Sequence, residues 1–338
     1  MSTSRQNTGG KQESALGMVK RFFDEYAIIY GIFAIIIIVA VATSIMLGDI
    51  TIFLSVNNFM NVLRQVSMIA IMAAGMYFVI VSGGVDISVG ATVGLMNVLF
   101  AGFMVWFGYH PIVSALVCIL IAAFIGMING TLVAYFGIAP LIATLGMQSL
   151  IRGLIFVITS AYAVIGLPRS INWIGNGFIL KYIPIPVIIM LAIYIIVNFV
   201  SVRTKFGRSV YAVGGNIEAA YLAGINEKWT RISCYMIANV MAAISALILT
   251  ARLASGQPNS GTGWEFEAII ATVIGGGSIV GGKGKAFGVL FGALLLGLFT
   301  NGMTLMNINS YFQQMIKGVI LIGAIGLDVY TVRRKARV

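Results

Sequence analysis

The stretch RTKFGRSVYAVGGNIEAAYLAGINEKWTRI, Arg203 to Ile232, interrupts an otherwise apolar chain. It is too polar to cross a bilayer, yet it is rich in residues that favour helix. The residues before it, 185–201, and after it, 233–253, are apolar. Each run is close to the length of about 20 residues that a membrane-spanning helix needs. A structured polar connection between two spans decides the fold class: an all-α integral membrane protein with a helical segment held outside the lipid.

Composition agrees. Of 338 residues, 59% are hydrophobic and 9% charged, whereas soluble domains carry roughly 25% charged residues. The net charge of +11 comes from Lys and Arg in short stretches between apolar runs. That is a topology signal. No basic face interleaved with stacking aromatics is present, which argues against a nucleic-acid partner. Cys118 and Cys234 lie in apolar runs with no second Cys or His at ligand spacing, so they read as buried hydrophobes and no metal site is expected. His110 precedes Pro111 in a turn and reads as solvated. The polar start, MSTSRQNTGGKQES, is longer than a signal-peptide leader, and the first apolar run lacks a small-residue cleavage site, so that run is expected to be a retained span.

The spacing predicts about ten spans, at 27–47, 59–82, 88–107, 112–136, 140–162, 185–201, 233–253, 265–281, 286–304 and 311–330. With an even count, three basic stretches fall on one side: Lys11, Lys20 and Arg21; the 202–232 connection; and the tail VRRKARV. That side is the cytoplasm by the positive-inside rule, so both termini are expected there. The chain then divides into a cytoplasmic segment at 1–26, a transmembrane domain at 27–330 and a basic tail at 331–338. Leu16, Val19, Phe23 and Tyr26 suit a helix lying at the membrane surface, or else a frayed terminus. QSLIRG (Gln148–Gly153) echoes QQMIKG (Gln313–Gly318), each preceded by an Asn-Gly one span earlier. The echo is offset by five spans, an odd number, which predicts an inverted repeat.

GGGSIVGGKGKAFG, Gly275 to Gly288, nearly spells a phosphate loop. Gly284 stands where the metal-binding Ser or Thr would be, and spans flank it instead of a strand and a helix, so it reads as a tight turn. The chain is expected to carry no catalytic residue and no cofactor.

Within the opening stretch, Gly214 and Gly215 are expected to break the chain, and Asn216 to cap a short helix holding Glu218, Ala219 and Ala220, which Gly224 ends. This E-A-A-x-x-x-G spacing resembles the coupling motif of ABC importer permeases. GGVDISVG (Gly83–Gly90), RTKFGRSVYAVGGN (Arg203–Asn216), ARLASGQPNSGTGWEFEAIIATVIGG (Ala251–Gly276) and GGKGKAFG (Gly281–Gly288) resemble the branch that carries monosaccharides, from about Phe59 to the C-terminus. The resemblance implies a permease that pairs with a second copy or a close relative in a bacterial cytoplasmic (inner) membrane. It implies cytoplasmic ATPase subunits that hold ATP and Mg, and an extracytoplasmic binding protein that delivers the sugar, ribose being the first expectation. Gly214 through Gly224 would meet the ATPase. A nucleoside, an autoinducer or a branched-chain amino acid remains an alternative cargo, and an ion-coupled carrier an alternative class. The shortage of acids within the spans speaks against the carrier.

Several polar residues are candidates for the translocation path. Asp86 and Ser88 sit between the second and third spans, near the inner face by span count, where Asp86 either caps the next helix or meets substrate. Gln148 and Arg152, and likewise Gln313 and Lys317, are one helical turn apart. A cation within a span costs about 2.5–3.5 kcal/mol, so each needs a partner or a wet cavity. Asn97, Asn129 and Asn301 either bind sugar hydroxyls or join helices. The stretch 254–268 is expected as an outer loop, with Glu265 and Glu267 either docking the binding protein or capping the eighth span.

Overall fold

The computed structural model describes residues 51–179 and 182–336, with isolated positions in 34–45. The expected surface helix in 1–26 and most of the expected first span lie outside the described residues. The architecture is a helical bundle: α1 (Val56–Val81), α2 (Val89–Val105), α3 (Pro111–Ala134), α4 (Pro140–Thr159), α5 (Ile185–Arg203), α6 (Lys205–Gly215), α7 (Ile217–Leu222), α8 (Glu227–Leu253), α9 (Trp264–Ile274), α10 (Ala286–Leu305) and α11 (Ser310–Ala336). A two-residue hairpin, β1 (Phe178–Ile179) with β2 (Ile183–Pro184), precedes α5.

Local sequence explains the boundaries. Ser55 Oγ accepts from Asn58 N at 3.1 Å and Asn226 Oδ1 from Trp229 N at 2.9 Å, capping α1 and α8. Pro111 and Pro140 open α3 and α4, where a missing N–H costs nothing. Among the described residues, seven helices are long and apolar enough to cross a membrane: α1, α3, α4, α5, α8, α10 and Ser310–Tyr330 of α11. The chain is a multi-pass membrane protein. The expected third span corresponds to α2, which is shorter, and the expected eighth to α9, which is shorter still.

The core lies along α1 and α8. Every residue from Val66 to Val81 is buried. Backbones touch there because small residues allow it: Gly126 and Gly130 of α3 lie against Tyr235–Met236 and Ile232 of α8, and Gly75 of α1 lies against Ala238. The outer helices expose large apolar side chains, among them Leu120 at 69%, Val157 at 78% and Ile322 at 75%. Such a surface suits acyl chains, not water.

Two expectations about depth are corrected. The stretch 254–263 is not an outer loop. It turns back along α2, with Gly256 against Asn97, Val98 and Ala101, and Gly261 against the backbone of Gly90. From Ala101 to Gly90 is about 16 Å of helix, so α9 begins deep in the bundle. Glycine permits the close approach, because a Cβ at Gly256 or Gly261 would collide with α2. Asp86, likewise, is not near one face. It bonds Asn239, about 18 Å along α8 from its first residue. A third correction is local: α6 continues through Gly214 and Gly215, and the break falls at Asn216, whose backbone is extended (φ −158°, ψ 109°).

Candidate functional site: the projecting arm and the mid-bundle polar layer

The arm leaves the core along its length: α6 still packs Val210 into it, whereas α7 is mostly exposed. Thr204 Oγ1 caps α6 by accepting from Gly207 N at 3.1 Å. Asn216 Oδ1 caps α7 by accepting from Ala219 N at 2.9 Å. Gly224 ends it with φ +77°, donating to Tyr221 O at 2.9 Å while Ile225 N donates to Ala220 O at 3.0 Å. Ala220 turns inward and is buried, while Tyr221 and Leu222 stand out at 66% and 84% exposure beside exposed Glu218. The result is a rigid, doubly capped helix with an apolar rim and one carboxylate.

Deep in the bundle, Asp86 heads α2. Its Oδ1 accepts from Ser88 N at 2.9 Å and Ser88 Oγ at 2.6 Å, and its Oδ2 from Asn239 Nδ2 at 2.8 Å. Asn129 Nδ2 donates to Ser88 Oγ at 2.8 Å, and Thr92 Oγ1 to Asn239 Oδ1 at 2.7 Å. All five side chains are fully buried. A carboxylate so surrounded is held by neutral donors alone, and its place at a helix N-terminus adds favourable backbone dipoles. Asp86 thus braces the turn that leads into α2, whose N-cap position is Ser88. The spans carry a further Asn, at 239, that sequence reading passed over. Its signal was the same as that of Asn129, an amide inside an apolar run.

Asn97 anchors the returning stretch: its Nδ2 donates to Thr250 Oγ1 at 2.8 Å, and its Oδ1 accepts from Gln257 N. Asn301 pairs reciprocally with Asn58, both bonds 3.0 Å, tying α10 to α1. Both amides join helices.

Gln148 and Arg152, on α4, face the start of α9. Gln148 Nε2 donates to Glu265 Oε1 at 3.0 Å; Arg152 Nη1 donates to Ser260 O at 2.9 Å and Nη2 to Gly90 O at 3.3 Å. Glu265 is 2% exposed and its carboxylate sits against Gly90. Of the two readings of Glu265, docking or capping, its burial in the first turn of α9 favours the internal one. On the other flank, Lys317 Nζ of α11 pairs with Glu267 Oε1 at 2.6 Å, so Glu267 too has an internal partner. Gln313 Nε2 donates to Ile308 O at 2.9 Å. A cleft of about 560 Å³ opens between α9 and α11, lined by Thr262, Phe266, Glu267, Gln313, Gln314 and Lys317. Asp328, beside the basic tail, is tied to the turn after α9. Its Oδ2 accepts from Ser278 Oγ and Ile279 N, both at 3.0 Å.

Among the described residues, no group of three or more His, Cys, Asp or Glu side chains could hold a metal ion. Cys118 and Cys234 are buried thiols.

Residues 58–325 match the family described as "Branched-chain amino acid transport system / permease component". The ribose import permease of Bacillus subtilis is 38% identical over 300 residues, covering 88% of this chain and 90% of that protein. The D-allose transport system permease of Escherichia coli is 35% identical over 309 residues, 91% of this chain and 92% of its own. The xylose transport system permease of Haemophilus influenzae is 33% identical over 336 residues, 82% of this chain and 90% of its own. No solved structure matches the chain. The chain therefore belongs to the transport-system permease family that includes the ribose, allose and xylose import permeases.

Proposed function

We propose that this chain is the membrane subunit of an ATP-driven importer for a monosaccharide, ribose being the first candidate. The observation that carries the reading is the exposed, doubly capped helix α7, with Glu218 and Gly224 at the E-A-A-x-x-x-G spacing. Sequence likeness to ribose, allose and xylose permeases supports the cargo class. A short helix with an apolar rim suits a groove on a partner, here a cytoplasmic ATPase that holds ATP and Mg. The arm side of the bundle is then cytoplasmic, with both termini, in a bacterial inner membrane. A binding protein delivers the sugar at the opposite side, and a second permease copy or a paralogue completes the path.

The path, in this reading, includes the α9–α11 cleft. Gln313, Gln314 and Thr262 offer neutral donors and acceptors, and the Lys317–Glu267 pair cancels its own charge. That lining suits an uncharged polyhydroxyl solute. An inverted repeat is supported by pairings that mirror each other. Gln148 and Arg152 of α4 reach α9 and the start of α2, while Lys317 of α11 reaches the start of α9. α3 packs on α8 as α10 packs on α1.

The test is reconstitution in proteoliposomes with the ATPase and the binding protein, measuring labelled ribose, allose and xylose. Accumulation of one of these that requires ATP and all three components is expected. Uphill uptake by this chain alone, driven by an ion gradient, would overturn the reading.

A further inference from the structure

Three stretches of chain converge where α1 ends: Val81–Gly84, the last turn of α6 at Tyr211–Gly215, and the turn Gly281–Gly284. Gly282 N donates to Val81 O at 2.8 Å. Gly214 is pressed onto the same carbonyl; a Cβ there would fall on Val81 O and lie 2.7 Å from Gly282 N. Gly281 has φ +94°, and a Cβ on it would lie 2.6 Å from Gly214 O. Only glycine satisfies both positions.

Beside this contact stands a triangle of hydroxyls. Tyr77 Oη of α1 shares hydrogen bonds with Ser201 Oγ of α5 and, at 2.6 Å, with Tyr211 Oη of α6. Ser201 Oγ and Tyr211 Oη are 3.2 Å apart, and Tyr211 Oη donates to Gly284 O at 2.8 Å. The rest of α6 is held by packing: Val210 lies in the core, Phe206 against Phe78, and Gly207 on the backbone of Ser201, whereas α7 buries Ala220.

We propose that the Tyr77–Ser201–Tyr211 triangle and the Gly214 contact form a joint that carries displacement of α7 to both half-depth helices, α2 and α9. The inference rests on the coupling reading of α7. Val81 leads directly into the short stretch that runs through Asp86 to Ser88, where α2 begins. Gly281–Gly284 belongs to the turn that closes α9. Backbone pressed on backbone without side chains between is stiff, so displacement passes through it. Tyr211 gives its proton to Gly284 O, so the protons of Tyr77 and Ser201 serve two of the three edges at a time and can exchange between them as the hydroxyls move. Tyr77 and Tyr211 are positioning residues; neither touches cargo.

Two measurements test this. In the purified full chain, hydrogen exchange is compared between wild type and Tyr211→Phe, with Tyr77→Phe as a second variant. Exchange is expected to rise about fivefold, the effect of one lost hydrogen bond, in residues 82–88 and 275–283 together. A rise confined to 205–215, or none, overturns the joint. In the assembled complex with labelled ribose, Tyr211→Phe is expected to leave the ATPase bound and to lower sugar moved per ATP about fivefold. A general loss of stability lowers both rates and keeps their ratio; an unchanged ratio overturns the joint. If wild type fails to bind an ATPase at all, the coupling reading of α7 falls, while the exchange comparison still decides the joint.

Discussion

Asp86 shows how much a single carboxylate can organise. Four neutral donors converge on it, and each is buried. Removing the acceptor strands Ser88 N and Ser88 Oγ, at about 1–3 kcal/mol each, and takes one partner each from Asn129 and Asn239. Asp86→Ala is therefore expected to lower the midpoint of thermal unfolding in detergent far more than Asn301→Ala, which frees one half-buried amide. A thermal-shift comparison of the two variants decides it. Gly90 carries a second constraint, since Glu265 occupies the space of its missing Cβ. Gly90→Ala should destabilise the protein, and Gly153→Ala, which meets open space, should not; folded yield after size-exclusion chromatography reads the difference. The sequence made Asp86 conspicuous as an acid among glycines. It could not reveal Asn239 as its partner, because the pairing joins residues 153 apart in sequence.

At the scale of elements, α7 was legible because capping is local chemistry. Asn216 at the start and Gly224 at the end lie within a few residues of the helix they bound. Replacing Gly224 by Val puts a β-branched residue at φ +77°, a left-handed conformation that costs about 1–2 kcal/mol per non-glycine residue. Gly224→Val and Glu218→Ala should each weaken co-purification of the ATPase severalfold while membrane insertion, read by protease protection, stays normal. Equal recovery of the ATPase with both variants would argue against docking through α7. The half-depth helices were not legible. Hydropathy reports how apolar a segment is and is blind to the depth at which it begins. The polar stretch 254–263 therefore read as surface, although Asn97 and the glycines of α2 draw it inward. The tight turn at Gly281–Gly284 was legible from its glycines, while its grip on α6 was not, because Gly214 lies far away in sequence.

In the whole molecule, the helical membrane class follows from hydropathy, and the pairing of helices follows from where small residues line up. The Lys317–Glu267 pair links the peripheral α11 to the inner α9 across the proposed path. Lys317→Met is expected to cut uptake about tenfold or more, as loss of a partly buried charge pair costs several kcal/mol. Exchanging the two residues, Lys317→Glu with Glu267→Lys, should restore part of it; initial uptake rates of the single and double variants read this out. Cys118 and Cys234 are expected to resist maleimide in the folded protein and to react after denaturation, because both thiols are buried.

No residue of α11 between 310 and 330 is buried, whereas α1 is buried without a break from Val66 to Val81. Random substitution should thus meet a gradient: near-total intolerance along α1, wide latitude along α11. Lys317 and Asp328 would stand out on that permissive helix as isolated positions under selection. Lineages of this chain are free to diversify at the rim while the centre is frozen, so change of cargo is cheapest where the fold has least at stake.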